Sequence, residues 1–167
     1  MINEFKGVYR WLSNFHPART YFRGRWFPSS EHSYQSAKCS GVVILTFKDE
    51  TYTVDWVEYC MNARNSAYTI KRASHQVPLI VGWDEGLKLQ VMAKCIDSKY
   101  DHEPVKSLLI ETYPEELVEG NTWGDEFYGV NLNTGRGENN LGKLIMAKRE
   151  RLVNDYITSI LKCEGDV

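Results

Sequence analysis

The feature that most constrains the fold is a long apolar stripe near the end of the chain. Large apolar side chains recur there at nearly helical spacing, at Leu141, Leu144, Ile145, Leu152, Tyr156 and Ile160. A helix with this period covers about five turns, or roughly 30 Å at ~1.5 Å per residue. We therefore predict a long amphipathic helix that follows the polar, glycine-containing turn at 134–139.

Shorter elements are predicted before this helix. Residues 42–47 and 51–54 are β-branched and aromatic and flank a polar turn, which indicates a hairpin, followed by a helix from Asp55. Apolar side chains at helical spacing over 87–95 and 105–110 indicate two core helices. We predict an α+β fold, mainly helical, with short strands or a small hairpin.

The first 28 residues are aromatic-rich and broken by turn residues, so we expect no helix there. Tyr21 to Phe27 is predicted to form a short strand or hairpin around Gly24. Residues 127–133 are predicted to form a strand or an extended loop.

Composition favours one domain over residues 1–167. The chain is 43% hydrophobic and 25% charged, which is enough apolar material for a core. A net charge of −2 argues against binding long nucleic acid mainly through a basic face, but is compatible with a small nucleotide. No apolar run reaches the ~18 residues of a membrane span, and residues 1–6 lack a signal-peptide core. We expect a cytoplasmic protein, or one in the host cytoplasm if a virus encodes it.

Cysteines and histidines are dispersed. The four cysteines, Cys39, Cys60, Cys95 and Cys163, contain no Cys-x-x-Cys pair, and the four histidines lack paired metal-ligand spacing. We predict buried free thiols, no metal and no organic cofactor.

The segment after Pro28 carries the most specific pattern. Ser29 or Ser30 can cap a helix of about 30–39. On that helix one face carries Glu31, Tyr34, Gln35 and Lys38. A carboxylate in the first turn is favoured in its ionised form by the helix dipole. Spacing alone is more typical of a solvated face with a modest ion-pair network.

Residues 27–38, Phe-Pro-Ser-Ser-Glu-His-Ser-Tyr-Gln-Ser-Ala-Lys, resemble the signature of the NADAR (YbiA-like) family. Other matches follow in the family's order: Leu12 to Phe15, Trp83 with Lys88, Val91-Met92, Lys99-Tyr100, Leu117 to Glu119, and Gly135 to Arg149. The resemblance covers nearly the whole chain.

This resemblance implies an N-glycosidase that cleaves a ribosyl N-glycosidic bond. The implied substrates are ADP-ribose conjugates, including ADP-ribosylated guanine in nucleic acid, or riboflavin-pathway ribosylamino-pyrimidine phosphates. Cleaving a C1–N bond builds positive charge on the sugar, which a carboxylate stabilises, so Glu31 is the first candidate. Lys38 suits either a phosphate contact or, as the resemblance implies, attack on C1 to give a Schiff base. The second role needs a neutral amine, which burial or another cation favours and Glu31 opposes.

The resemblance also implies substrate-binding residues: Asn14, Phe15, Tyr34, Gln35, Trp83, Asp125, Tyr128, Asn139 and Gly142. Around Asp125 the family's acidic residue and Trp-Gly pair match with Tyr128 in place of Trp, and Trp123-Gly124-Asp125 is a competing alignment. The turn before the last helix suits a phosphate, but without the resemblance a structural cap is the preferred interpretation. We expect a cleft between the Glu31 helix and this turn.

Residues 41–59 form a hairpin-like bridge that differs from the mostly helical connection of many relatives. We expect a variable insertion there that serves as a lip beside the site. Two other functions remain open: a non-catalytic ADP-ribose or NAD-binding module, and a structural protein that engages a host partner.

Overall fold

Short strands and helices alternate along residues 1–165, the part of the chain that the computed structural model describes; side chains are described as far as Cys163. The last two residues of the predicted 1–167 domain lie outside this part. Contacts divide the chain into two compact units, Ser13–Lys99 and Met1–Leu12 with Tyr100–Val167. None of the helices within 1–165 is long and apolar enough to cross a membrane.

The unit Ser13–Lys99 contains two hairpins and most of the short helices. Its elements are β1 (Thr20–Phe22), β2 (Arg25–Phe27), α1 (Ser30–Ser36), β3 (Val42–Phe47), β4 (Glu50–Asp55), α2 (Trp56–Met61), α3 (Ala67–Ala73), a 3-10 turn (Ser74–Gln76), a π-type turn (Trp83–Leu87) and α4 (Lys88–Lys99). The predicted hairpin at 42–54 is confirmed, with β3 antiparallel to β4. The mainly helical α+β prediction is confirmed as well.

Helix α1 lies at the centre of this unit. It packs against α2, α3, α4, β1 and β2, and all seven of its residues are buried. Two of its three serines donate their hydroxyls to the helix's own backbone: Ser33 Oγ to the Ser30 carbonyl at 2.9 Å and Ser36 Oγ to the Ser33 carbonyl at 2.7 Å. Because these polar groups find partners inside the helix, a polar sequence tolerates full burial.

Two predictions for the first 40 residues are wrong. The helix ends at Ser36, not near residue 39: the Ala37 and Lys38 amides bond to the Tyr34 and Gln35 carbonyls three residues back, and the Gln35 carbonyl also accepts the Trp56 indole N–H at 3.0 Å. In addition, Gly7–Leu12 forms a 3-10 helix where we expected none.

The second unit is built around the last helix. It contains that 3-10 helix, α5 (Val105–Glu111), the parallel strands β5 (Gly120–Asn121) and β6 (Val130–Asn131), and α6 (Asn140–Gly165). Leu109, Leu117, Leu141 and Ile145 are fully buried. The predicted stripe on α6 holds through Leu152, but Tyr156 and Ile160 are 58% and 40% exposed.

Candidate active site on helix α1

The start of α1 is fixed by two residues. Ser29 has extended backbone angles, and its hydroxyl accepts the His32 amide at 3.3 Å, which satisfies one free N–H of the first turn. Asn14 holds the next residues: its carbonyl accepts the Glu31 amide at 3.0 Å, and its side-chain oxygen accepts Ser30 Oγ at 2.9 Å. Asn14 Nδ2 lies 3.3 Å from the Met92 sulfur. The Asn14 amide, predicted to bind substrate, therefore contacts protein groups at both of its polar atoms.

Glu31 and Gln35 form a buried polar pair one helical turn apart. Gln35 Nε2 donates to Glu31 Oε1 at 2.7 Å, and the two residues are 2% and 4% exposed, respectively. The solvated-face alternative is therefore wrong for this part of α1. Gln35 Oε1 is also buried, and it meets no hydrogen-bond partner among the described residues. A buried amide oxygen without a donor is costly, so it is a candidate position for a substrate N–H or O–H.

Lys38 reaches back over α1 although it lies beyond the helix. Its Nζ lies 5.8 Å from the centre of the Tyr34 ring and 3.3 Å from Ser74 Oγ. Burial lowers the pKa of the Lys38 ammonium below its ordinary value; Glu31 and, more weakly, Asp84 oppose this shift, whereas Lys71 and, more weakly, Lys88 add to it. The conflict left by the sequence is thus resolved in favour of a lysine that loses its proton more easily than one in water.

Aromatic rings lie beside this amine. Tyr34 and Trp83 pack with ring centres 5.2 Å apart at 51°, and Trp83 is only 3% exposed. Phe15, half-buried, lies 5.5 Å below the Lys71 ammonium. Seven predicted site residues therefore belong to the unit Ser13–Lys99. Among them, Gln35 is hydrogen-bonded to Glu31, and Glu31 acts electrostatically on Lys38.

His32 is a residue that the sequence reasoning missed. Its Nε2 lies 2.7 Å from the Asn65 carbonyl, which only accepts, so Nε2 carries the proton and Nδ1 accepts from Ser29 Oγ at 2.6 Å. Burial lowers the His32 pKa, and the hydrogen bond to Asn65 opposes that shift. His32 thus ties α1 to the 62–66 loop. The position of His32 directly after Glu31 in the motif was the sequence feature that could have indicated this role.

The remaining predicted binding residues lie in the other unit. Asp125 Oδ1 accepts the Phe127 and Tyr128 amides at 3.1 and 2.9 Å, which organises the turn that carries the Tyr128 ring. Asn139 has a left-handed backbone (φ 54°); its Oδ1 accepts the Glu119 amide and its Nδ2 donates to the Leu117 carbonyl.

Close contacts around Gly142 leave no room for a side chain at this position. A Cβ at this position would lie 2.3 Å from the Leu117 carbonyl oxygen and 2.5 Å from Asn139 Oδ1. Asn139 and Gly142 therefore fasten the 117–119 segment to the start of α6. This arrangement supports the structural-cap interpretation of the turn; their substrate-binding role stays a prediction.

The thiols do not extend this site. Cys39, Cys60 and Cys95 are buried, whereas Cys163 is exposed, so the prediction of four buried thiols is wrong at one position. Burial raises the pKa of Cys95 to about 12 and that of Cys60 further. Within residues 1–165 no group of three His, Cys, Asp or Glu side chains could hold a metal ion.

The fold is a small α+β domain, and helix α1 brings together a buried carboxylate and an amine of lowered pKa, groups that are typical of an enzyme active site. The chain belongs to the NADAR domain family, whose model matches residues 3–153. It is 35% identical over 130 residues to the N-glycosidase YbiA of Shigella boydii, covering 77% of this chain and 72% of that protein. It is 28% identical over 144 residues to a riboflavin biosynthesis protein of Vibrio vulnificus, covering 84% of this chain but 35% of that protein.

The solved structure of YbiA from Escherichia coli has the same fold. It superposes with a TM-score of 0.71 at 27% sequence identity and covers 94% of this chain and 89% of that one. The prediction of an enzyme that acts on N-glycosyl bonds is confirmed at the level of the family.

Proposed function

We propose that this chain hydrolyses the N-glycosidic bond between ribose C1 and a base-like nitrogen. The proposed substrates are an ADP-ribose conjugate such as ADP-ribosylated guanine, which includes the modified base in nucleic acid, or a ribosylamino-pyrimidine phosphate of the riboflavin pathway. The observation that carries the proposal is the buried Glu31–Gln35 pair beside a Lys38 of lowered pKa. The relatives' names, an N-glycosidase and a riboflavin biosynthesis protein, support the reaction and the second substrate.

Glu31 is proposed to stabilise the charged sugar. As the C1–N bond lengthens, positive charge spreads over C1 and the ring oxygen, and a buried carboxylate stabilises that charge more strongly than one in bulk solvent. The 2.7 Å hydrogen bond from Gln35 fixes one carboxylate oxygen, so the group needs little reorientation during the reaction.

Lys38 offers two routes. In the covalent route, its neutral amine bonds to C1 while the electron pair of the C1–N bond leaves with the base nitrogen, which takes up a proton. The attacking nitrogen loses a proton, its lone pair then breaks the bond between C1 and the ring oxygen, and that oxygen takes up a proton, which leaves an iminium ion at C1. Water adds to C1, and the amine leaves with a proton as C1 becomes the aldehyde of the free sugar. In the direct route, water attacks C1 and Lys38 binds phosphate. The lowered pKa of Lys38 supports the covalent route.

The test measures base release from ADP-ribosylated guanine and from a ribosylamino-pyrimidine phosphate, with no metal or cofactor added. We expect Glu31→Gln to lower the turnover of one of them by at least ~100-fold. Glu58→Gln, at an exposed position on α2, is the matched control and keeps wild-type activity. Tight binding of both compounds without turnover by the wild-type protein would instead identify a non-catalytic ADP-ribose or NAD-binding module.

Borohydride separates the two routes. Reduction during turnover should trap a sugar on the wild-type protein and not on Lys38→Ala, whereas Lys94→Ala, at an exposed position on α4, should trap normally. Normal turnover without any trapped adduct would assign Lys38 to phosphate binding.

A further inference from the structure

Ser74 lies beside the Lys38 amine and has no role in the chemistry proposed above. It follows the last residue of α3 and begins the 3-10 turn Ser74–Gln76, and its amide donates to the Ile70 carbonyl of α3. Its side chain is buried, since the residue is only 3% exposed. The hydroxyl is therefore carried by a backbone position that the end of the helix fixes.

The single proton of the Ser74 hydroxyl is already committed. Ser74 Oγ donates to the Lys71 carbonyl, three residues back, at 2.7 Å. A serine hydroxyl has one donor and two acceptor positions, so Ser74 Oγ can only accept at its other contact. That contact is Lys38 Nζ at 3.3 Å. Lys38 therefore donates an N–H to Ser74 both as an ammonium and as a neutral amine.

The contact with Lys38 is not needed to satisfy the Ser74 hydroxyl. Ser36, which is 4% exposed, makes the same local hydrogen bond, to the Ser33 carbonyl three residues back, at 2.7 Å. One such bond is an ordinary way for a serine in a helix to be buried. What distinguishes Ser74 is its second contact, which is made with the amine that the covalent route uses as its nucleophile.

We propose that Ser74 is a positioning residue that orients the Lys38 amine for its attack on C1. A neutral amine has two N–H groups and one lone pair, and an N–H directed at Ser74 Oγ turns the lone pair away from Ser74. Because the long lysine side chain is then fixed at its end before the reaction, less rotamer entropy is lost on the way to the transition state. The inference rests on the covalent route of the proposed function, because a lysine that binds phosphate needs no directed lone pair.

Ser74 is not the base that removes the proton from the attacking nitrogen. It would have to pass its own proton to the Lys71 carbonyl, and a backbone carbonyl accepts hydrogen bonds but does not hold a proton at ordinary pH. Because Ser74 is buried and bonded to Lys38, it acts on the substrate through the lysine. Its loss should therefore slow bond formation and leave substrate binding intact.

The kinetic test compares Ser74→Ala with Ser36→Ala on ADP-ribosylated guanine and on a ribosylamino-pyrimidine phosphate. We expect Ser74→Ala to lower kcat by roughly 10-fold or more and to leave KM within about 2-fold, because only the orientation of the amine is lost. Ser74→Thr keeps the hydroxyl and should retain kcat within about 3-fold. Ser36→Ala loses the equivalent local hydrogen bond and should keep the wild-type kcat.

A second measurement needs no substrate. Carbon-13 relaxation of the Lys38 Cε methylene, assigned with Lys38→Arg, reports how firmly the end of this side chain is held on the fast timescale. We expect Ser74→Ala to lower the Cε order parameter, whereas Ser74→Thr and Ser36→Ala should leave it near the wild-type value. Circular dichroism of each variant checks that it is folded.

An unchanged kcat in Ser74→Ala, an equal loss in Ser36→Ala or Ser74→Thr, or a Lys38 order parameter that Ser74→Ala does not lower would overturn the proposal. Wild-type turnover without a borohydride adduct would overturn it as well, since Lys38 would then not attack C1. Failure of the glycosidase proposal has a different result: the wild-type protein would release no base from either compound. A Lys38 order parameter that falls in Ser74→Ala would still support the fixing of the amine by Ser74.

Discussion

Gln35 donates a 2.7 Å hydrogen bond to Glu31 from one turn further along α1, and both side chains are almost completely buried. The amide has therefore taken the place of water for one carboxylate oxygen. Removing the Gln35 amide should affect stability as well as chemistry, because a buried carboxylate oxygen then loses its hydrogen-bond donor.

We expect Gln35→Met to lower the free energy of unfolding by about 1.5–3 kcal/mol, the usual contribution of a hydrogen bond to a charged group. Urea unfolding measures it. In a double-mutant cycle with Glu31→Gln, the loss should be smaller, because the charged acceptor is then gone. Fully additive effects would show that the pair contributes nothing as a pair.

The pH dependence of adduct trapping should report the Lys38 pKa. Since burial lowers this pKa, the neutral amine and the trapped adduct should appear at lower pH than for an ordinary lysine. Lys71→Met removes a cation that lowers the Lys38 pKa, so the midpoint of trapping should move to higher pH. Arg72→Met, at the neighbouring exposed position on α3, is the control. A midpoint unchanged by Lys71→Met would contradict this account of the site's field.

His32 should make stability depend on pH in a defined direction. Its pKa is lowered in the folded state from 6.5, so the unfolded chain binds the proton more readily. The contribution is fully present above about pH 6.5 and is lost as the pH falls through the lower folded-state pKa. Unfolding free energies of wild type and His32→Gln should therefore converge on acidification. Parallel pH curves for the two proteins would exclude His32 as the source.

Gly142→Ala should destabilise the second unit. The new Cβ meets the Leu117 carbonyl and the Asn139 side chain at less than van der Waals distance; the first is backbone and the second is held by hydrogen bonds to Glu119 and Leu117, so neither has much room to relax. We expect a loss of about 1–3 kcal/mol or more. Lys143→Ala, at the next and exposed position of α6, is the matched substitution and should be nearly neutral. Thermal unfolding distinguishes them.

Local rules predicted the elements whose ends are set by their own residues. Ser29 caps α1 and Asp55 caps α2, and the 42–54 hairpin turns at Lys48 and Asp49, whose short turn has positive φ at both residues. The end of α1 was mispredicted because the Gln35 carbonyl, which the Cys39 amide would need if the helix continued, also accepts the indole of Trp56, a residue far along the chain.

The site was predicted by residue type, but not by environment. Spacing placed Glu31 and Gln35 on one face of α1. It could not show whether that face is buried, because burial depends on the five elements that pack against α1. The lowering of the Lys38 pKa comes first from burial and is reinforced by Lys71 and Lys88, which lie far from Lys38 in sequence. The role of His32 depended in the same way on the Asn65 carbonyl.

The base of the β3–β4 hairpin has a consequence for protein engineering. The Trp56 amide donates to the Gly41 carbonyl at 2.9 Å, so the two ends of the hairpin segment meet. The Trp56 indole donates to the Gln35 carbonyl of α1 at 3.0 Å. The segment between Gly41 and Trp56 is thus a replaceable insertion whose base is held to α1 by the Trp56 indole. Segments from other family members could be exchanged at this junction, provided that Trp56 stays and the inward Val43 and Leu45 are replaced by side chains of similar volume.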